Sequence, residues 1–230
     1  MGLTEMMDRP DRLTDAVHRT LKAAILEGDP APGMQLSVPE LARRLGVSRG
    51  SVREAVLQLV ADGLAEERPR RGVVVVRLGP AEMRHIHQVR EVLEGQAARL
   101  CAEAPGPGLV EALEDALDEQ RLAIAADSES GYTGSDGRFH ALLRDACGNP
   151  MLGALIERLH NQMRLALTRA AEAPEHRSCG HDELHQVLRA VRDRDPDAAE
   201  TAMRRHIRRT RAALEAYEEE DTDSRGNRDE

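Results

Sequence analysis

Leu41-Ala42-Arg43-Arg44-Leu45-Gly46-Val47-Ser48-Arg49-Gly50-Ser51-Val52-Arg53-Glu54-Ala55-Val56 decides the fold of the front of this chain. Leu41 and Leu45 mark the apolar side of one short helix, and Gly46 stops it. Ser48 then caps a second helix, whose apolar side is Val52, Ala55, Val56, Leu59 and Val60 and which Gly63 closes. Two short helices meeting at Gly46-Val47-Ser48 have helix-turn-helix spacing.

Further out, Ser37-Val38-Pro39-Glu40 has the capping-box spacing, with proline in the first turn, so the first of the two helices starts there. Upstream, Ala16, Val17, Leu21, Ala24, Ile25 and Leu26 recur at helical spacing as far as Gly28. Downstream come Leu64 to Glu67, the basic turn Arg68-Pro69-Arg70-Arg71-Gly72 and the β-branched run Val73 to Val76, which together predict a hairpin. Gly79-Pro80 reads as a domain junction. From Ala81 onward the pattern is helical. Breaks are expected at 105–108, at the Ser/Gly-rich 128–137, at Asn149-Pro150, at 174–180 and at Asp195-Pro196. About six amphipathic helices remain, with no strand pattern. The predicted fold is therefore mainly α. A winged helix-turn-helix with a small β-hairpin occupies 1–77, a linker 78–80 and an all-α bundle 81–217. The stretch 218–230 is polar throughout and is expected to be disordered.

Composition bounds what such a chain does. It has 230 residues, 40% hydrophobic and 32% charged, which suits a packed globular protein. Two Tyr, one Phe and no Trp force an aliphatic core and argue against a stacking platform for single strands. No apolar run reaches the ~18 residues of a membrane span, and Met1 to Pro10 lacks a signal-peptide core. Cys101, Cys147 and Cys179 are scattered and odd in number, as expected of a reducing cytoplasm. The net charge of −9 conceals an asymmetry. Val38 to Arg77 holds eight arginines against five acids, whereas from Ala81 onward there are 20 basic and 30 acidic residues. A basic segment on an acidic body is the charge layout of a modular binder.

The second helix of the pair would enter a major groove N-terminus first. Its opening turns carry Ser48, Arg49, Ser51 and Arg53. Hydroxyls and helix-terminal N–H groups suit phosphates, and guanidinium forks suit the N7/O6 edge of guanine. Gly72, at the end of the basic turn, lets the backbone approach a sugar-phosphate wall closely.

Ile25-Leu26-Glu27-Gly28, Pro32-Gly33-Met34-Gln35-Leu36, the 41–56 run, Gly63-Leu64 and Arg71-Gly72-Val73 together resemble the winged-helix domain of GntR-family bacterial transcription regulators. The resemblance implies base reading by Arg49 and Arg53, phosphate contacts by Ser48 and Ser51, and Gly72 at a wing tip beside the minor groove. Arg43 and Arg71 complete the expected DNA-binding set. Gly50 stands where the family usually has Thr, and Pro39 where some members place an arginine that contacts DNA.

In the acidic half, Asp136 and His140 stand at i, i+4, so a helix carries both on one face, as two metal ligands require. His181 and His185 repeat that spacing, and His206 lies on the last long helix. Three helices could thus aim Asp and His at one point inside a bundle. A lone histidine is ordinarily a core or capped side chain, which is the reading for His18, His85, His87, His160 and His176. Asp136-x-x-Phe139-His140, Asn149, Ala199, Met203 and His206-Ile207 resemble the FCD effector-binding domain of the FadR-like GntR branch. That resemblance implies a divalent metal, often zinc, on one Asp and three His, helping to hold a small carboxylate effector. Asp136, His140 and His206 match directly. The third histidine's position falls on Leu184, which leaves His181, after a helix cap at Ser178, or His185, which is also a candidate effector contact. Arg90 and Glu94 resemble the first sensor helix, whose arginine faces the effector carboxylate; a guanidinium fork pairs with a carboxylate bidentately.

The combined expectation is a cytoplasmic homodimer that binds double-stranded operator DNA and answers to an organic acid, most commonly by releasing repression. The alternative is a zinc-dependent hydrolase using the Asp/His cluster. Against it stand the missing HExxH motif and the lack of a clearly placed general base.

Overall fold

The computed structural model describes residues 10–167 and 174–226. They form two compact units. One holds the chain up to Gly79 together with α7 from Arg158 onward; the other holds the rest from Pro80.

The first unit opens with α1 (Pro10–Leu26), α2 (Val38–Leu45) and α3 (Arg49–Ala61). An antiparallel hairpin of β1 (Ala65–Arg68) and β2 (Gly72–Val75) follows, in the register Ala65 to Val75 and Arg68 to Gly72. Gly46 ends α2 in the left-handed region at φ 66°, with its N–H donating to the Ala42 carbonyl. The turn into α3 needs that conformation, which glycine adopts without steric cost. Ser48 caps α3 by accepting from the Ser51 N–H. Ser37 is extended at the start of α2 but makes no side-chain cap bond, and Glu40 pairs with Arg43 at 2.6 Å instead of closing a capping box. Val17, Leu21, Ile25, Val52, Ala55, Leu59, Leu64 and Val75 form the aliphatic core, joined by Leu165 of α7.

The second unit is helical among its described residues: α4 (Pro80–Glu103), α5 (Leu109–Ala125), α6 (Glu129–Ala146), the start of α7 (Pro150–Leu167), α8 (Pro174–Arg192) and α9 (Pro196–Gly226). α4 packs along α9, α5 along α6, and α8 along α9. Leu113, Leu117, Phe139, Ile156, Leu184, Met203 and Ile207 are buried at its centre.

Three expectations are corrected. The Ser/Gly-rich stretch 128–137 is not a break but the start of α6. Ser128 accepts from the Gly131 N–H, and the burial of Tyr132, Ser135 and Phe139 outweighs the low helix propensity of the glycines. The segment 174–180 is likewise helical; Pro174 opens α8, where its missing N–H costs nothing, so Ser178 lies inside the helix and caps nothing. Helix also continues through 218–226 as the last turns of α9, where composition suggested disorder; 227–230 lie outside the described residues. No described helix is long and apolar enough to cross a membrane.

Candidate functional site

α3 presents its opening turns outward. Ser48, Arg49 and Arg53 are exposed and Ser51 is half-buried, while Val52, Ala55 and Val56 on the opposite side hold the helix to the core. Neither Arg49 nor Arg53 has a hydrogen-bond or ion-pair partner among the described residues, so both guanidinium forks are available. Ser48 and Ser51 hydroxyls lie 3.0 Å apart, so the cap already orients them. Arg43 is exposed but engaged by Glu40. At the hairpin tip Arg70 and Gly72 both have positive φ, 63° and 68°, and Arg71 reaches the Gly33 carbonyl at 3.5 Å. This shape, a helix-turn-helix followed by a two-stranded wing with free arginines on the second helix, suits a duplex groove.

The second unit assembles a buried polar chain on four helices. On α4, Arg90 Nε donates to Glu94 Oε1 at 2.6 Å, with both side chains about 95% buried. Glu94 Oε2 lies 2.5 Å from His140 Nδ1 on α6, and His140 Nε2 lies 3.7 Å from Asp136 Oδ2 one turn earlier. His206 of α9 stacks its ring 5.3 Å from that of His140, and its Nδ1 lies 3.2 Å from Glu183 Oε2 of α8. One ligand atom each from Asp136, His140 and His206 falls within 4.8 Å of the other two. α8 comes close because position 180 is glycine: a Cβ there would sit 2.6 Å from the Tyr132 hydroxyl and 3.8 Å from His206 Cε1.

Neither His181 nor His185 completes this trio; no ring nitrogen of either lies within 4.8 Å of all three ligand atoms. Leu184, between them, is fully buried in the core. His181 Nδ1 instead bonds Gln120 Oε1 at 2.9 Å, and Gln120 Nε2 donates to Asp136 Oδ1 at 3.2 Å. The amide oxygen only accepts, so His181 carries its proton on Nδ1. His185 packs edge-on against His181, with ring centroids 4.6 Å apart.

The environment splits the two trio histidines. Burial pushes His140 down, but the Glu94 carboxylate and Asp136 outweigh it, and the net shift is upward. His206 is shifted down, chiefly by burial, with its hydrogen bond to the Glu183 carboxylate opposing. Burial also lowers His181, helped by His185. Both trio histidines have a carboxylate on Nδ1, which leaves Nε2 for a ligand role. A carboxylate on Nδ1 orients an imidazole and fixes its tautomer in this way where imidazoles bind metals. Two imidazoles and a carboxylate suit zinc, and three protein ligands leave room for an incoming oxygen. Sequence reading missed Glu183, Gln120 and the role of Glu94 in holding His140. All three act across helices, where i, i+4 spacing carries no signal.

The fold and exposed arginines define a winged-helix DNA-binding regulator carrying a helical second domain. A model of bacterial regulatory proteins of the gntR family matches residues 13–75, and one of the FCD domain matches 85–209. The chain is 30% identical to the HTH-type transcriptional repressor RspR of Escherichia coli K12, over 97% of this chain and 98% of that protein. It is 28% identical to the HTH-type transcriptional repressor NanR of Cronobacter sakazakii, covering 89% and 86% of the two. Among solved structures, E. coli McbR/YncC superposes with a TM-score of 0.72 at 25% identity, covering 89% of this chain and 98% of that one. This chain belongs to the GntR family, in the group with an FCD domain; it is a transcription regulator, and the hydrolase alternative falls.

Proposed function

We propose that this regulator is a homodimeric repressor, released from double-stranded operator DNA by a small organic acid bound beside a divalent metal, zinc foremost, in its helical domain. The observation that carries the sensor half is the Asp136, His140 and His206 trio, with each imidazole's Nδ1 tied to a buried carboxylate. Asp136 and the two Nε2 atoms would hold the metal. When bound, it supplies a Lewis-acidic point that fixes a carboxylate oxygen. Arg90, already paired with Glu94, gives that carboxylate a second cationic neighbour. Gln120 holds Asp136 and sets the His181 tautomer, which leaves His181 Nε2 as a hydrogen-bond acceptor. His185, against His181, remains an effector-contact candidate.

On the DNA side, Arg49 and Arg53 read bases. Ser48, Ser51 and the α3 N-terminus hold phosphates, and Arg43, Arg71 and Gly72 follow the backbone. Two winged helices related by two-fold symmetry occupy half-sites of a pseudo-palindrome. The acid shifts operator affinity only by its differential affinity for two arrangements of the dimer.

The test pairs elemental analysis with a salt-titrated DNA-binding assay on the region upstream of the chain's own gene. The wild type should carry about one metal per chain, and His206→Ala should lose it. Unchanged metal content in that variant removes His206 from the site. DNA affinity that is the same for random duplex sinks the operator reading.

A further inference from the structure

The tip of the hairpin holds an arginine in a conformation that suits glycine. The Arg71 N–H donates to the Arg68 carbonyl at 3.1 Å, so 68–71 form a four-residue turn with Pro69 second and Arg70 third. Proline holds φ near about −65°, which leaves type II as the common turn that combines it with a positive φ at the next residue. Arg70 takes that conformation, at φ 63°. The third position of such a turn favours glycine or asparagine, because a Cβ there crowds the backbone. Among the described residues of this unit, Arg70 is the one non-glycine residue with positive φ. Such outliers persist where a function uses them.

The three arginines of the tip are not equivalent. Arg68 is tied to Glu66 at 2.6 Å, and Arg71 reaches back to the Gly33 carbonyl. Arg70 is exposed and has no hydrogen-bond or ion-pair partner among the described residues. Beneath it the hairpin is braced. The Leu36 N–H donates to the Val73 carbonyl and the Val75 N–H to that of Met34, each at 2.8 Å, so the 33–36 segment lines the second edge of β2. A free guanidinium thus stands at the end of a backbone-braced arm.

The arm is long enough to reach a second groove. Each strand has four residues, about 13 Å. With the α3 N-terminus in a major groove, the next minor groove lies about half a helical repeat away, roughly 17 Å, which the hairpin and an extended arginine span. That groove is narrower over A·T runs, and its potential there is more negative. Guanine also places an N2 amino group in it, which A·T pairs lack. A guanidinium is less strongly hydrated than an ammonium, so it enters such a slot at lower cost.

We propose that Arg70 enters the minor groove beside each half-site and makes A·T-rich flanks part of what this regulator recognises. Arg70 reads the width of the groove, a specificity separate from that of Arg49 and Arg53 at base edges. This rests on the operator reading above.

Selection from random DNA duplexes by the full chain tests this, run in parallel with Arg70→Gly and Arg70→Asn. Both replacements are at home at positive φ, so the turn keeps its form in either variant. All three proteins should enrich the same central site, and only the wild type should enrich A·T pairs beside it. On a selected duplex, changing the flanks from A·T to G·C should weaken the wild type about fivefold or more and each variant less than twofold. Inosine·C flanks identify the groove. They show the major-groove edge of G·C but lack the N2 amino group, so the wild type should bind them nearly as well as A·T flanks. A flank preference retained in either variant, equal wild-type affinity for A·T and G·C flanks, or inosine·C flanks bound like G·C overturns the proposal. The operator reading survives those results as long as a central site is enriched. If the wild type enriches no sequence, both fail.

Discussion

Glu94→Gln tests the buried chain at its centre. Glu94 lies between Arg90 Nε at 2.6 Å and His140 Nδ1 at 2.5 Å, with only a few per cent of its surface in water. Glutamine has nearly the same shape, so the substitution opens no cavity; it removes the charge and one of the two acceptor oxygens. Arg90 then loses the carboxylate 2.6 Å away, and breaking a buried pair from one side typically costs about 3–5 kcal/mol. Against a typical total of about 5–15 kcal/mol, the variant should unfold at visibly lower urea concentration. The same change leaves one carbonyl oxygen for two donors, Arg90 Nε and His140 Nδ1, and so weakens the hold on the His140 proton. Zinc affinity, read by competition with a chromophoric chelator, should fall about 10–100-fold. Arg90→Met combined with Glu94→Gln should recover much of the lost stability, because both charges of the pair are then removed together, but not the zinc affinity. A stability loss under about 1 kcal/mol, the range of exposed pairs, would refute the claim that the chain is an integrated buried unit.

Arg49→Ala and Arg53→Ala should each weaken operator binding by about 1–3 kcal/mol at one base position without lowering the unfolding midpoint; a uniform loss on all sequences would reassign them to phosphates. The metal loss expected in His206→Ala should leave far-UV circular dichroism intact; a collapsed spectrum would make that result structural. Gly50→Ala should stabilise the protein by about 0.4–1 kcal/mol in urea unfolding, because Gly50 is in the first turn of α3 and an added Cβ meets only Ser48 Oγ at 3.6 Å. Stability that falls instead would show that glycine is needed there. His87, neutral when folded with a pKa of about 3 against 6.5 unfolded, binds fewer protons in the native state. Its neutral form therefore favours folding fully above pH 6.5, and that contribution is lost as pH falls toward 3, by up to about 1.4 kcal/mol per unit. His87→Leu should flatten that part of the acid slope of unfolding free energy; parallel slopes would mean the ring is solvated.

The front of the chain was legible because its signals are local. Gly46 takes the left-handed turn, Ser48 accepts from Ser51, and the valines after Gly72 pair in the hairpin; each follows from residues within a few positions. The misread boundaries are those where tertiary packing overrode local preference. Glycines 131, 134 and 137 argue against helix, but burying Phe139 and Tyr132 against α5 decides otherwise. Glycine also fits position 131 closely, since a Cβ there would crowd Ala123 Cβ at 3.0 Å. Ser37-x-x-Glu40 has the spacing of a capping box, but the Arg43 guanidinium one turn on competes for that carboxylate and holds it.

The sensor divides in the same way. Asp136 and His140 share a helix face, so their spacing alone places both at the site. The third ligand depends on the rotation of α8 against α9, which no spacing within α8 records. Successive helix residues differ by about 100° in direction, so burying Leu184 in the core turns Glu183 toward His206 and leaves His181 to Gln120. The element that would carry a third imidazole therefore contributes a carboxylate behind His206. The consequence for the proposed site is physical: with three protein donors in place of four, a metal there would have more of its coordination sphere to fill from outside the chain. An acid arriving beside Arg90, as proposed, would compete with water for those positions and not with a protein side chain. That would raise its share of the coordination energy, and so the leverage a small molecule would have over this domain.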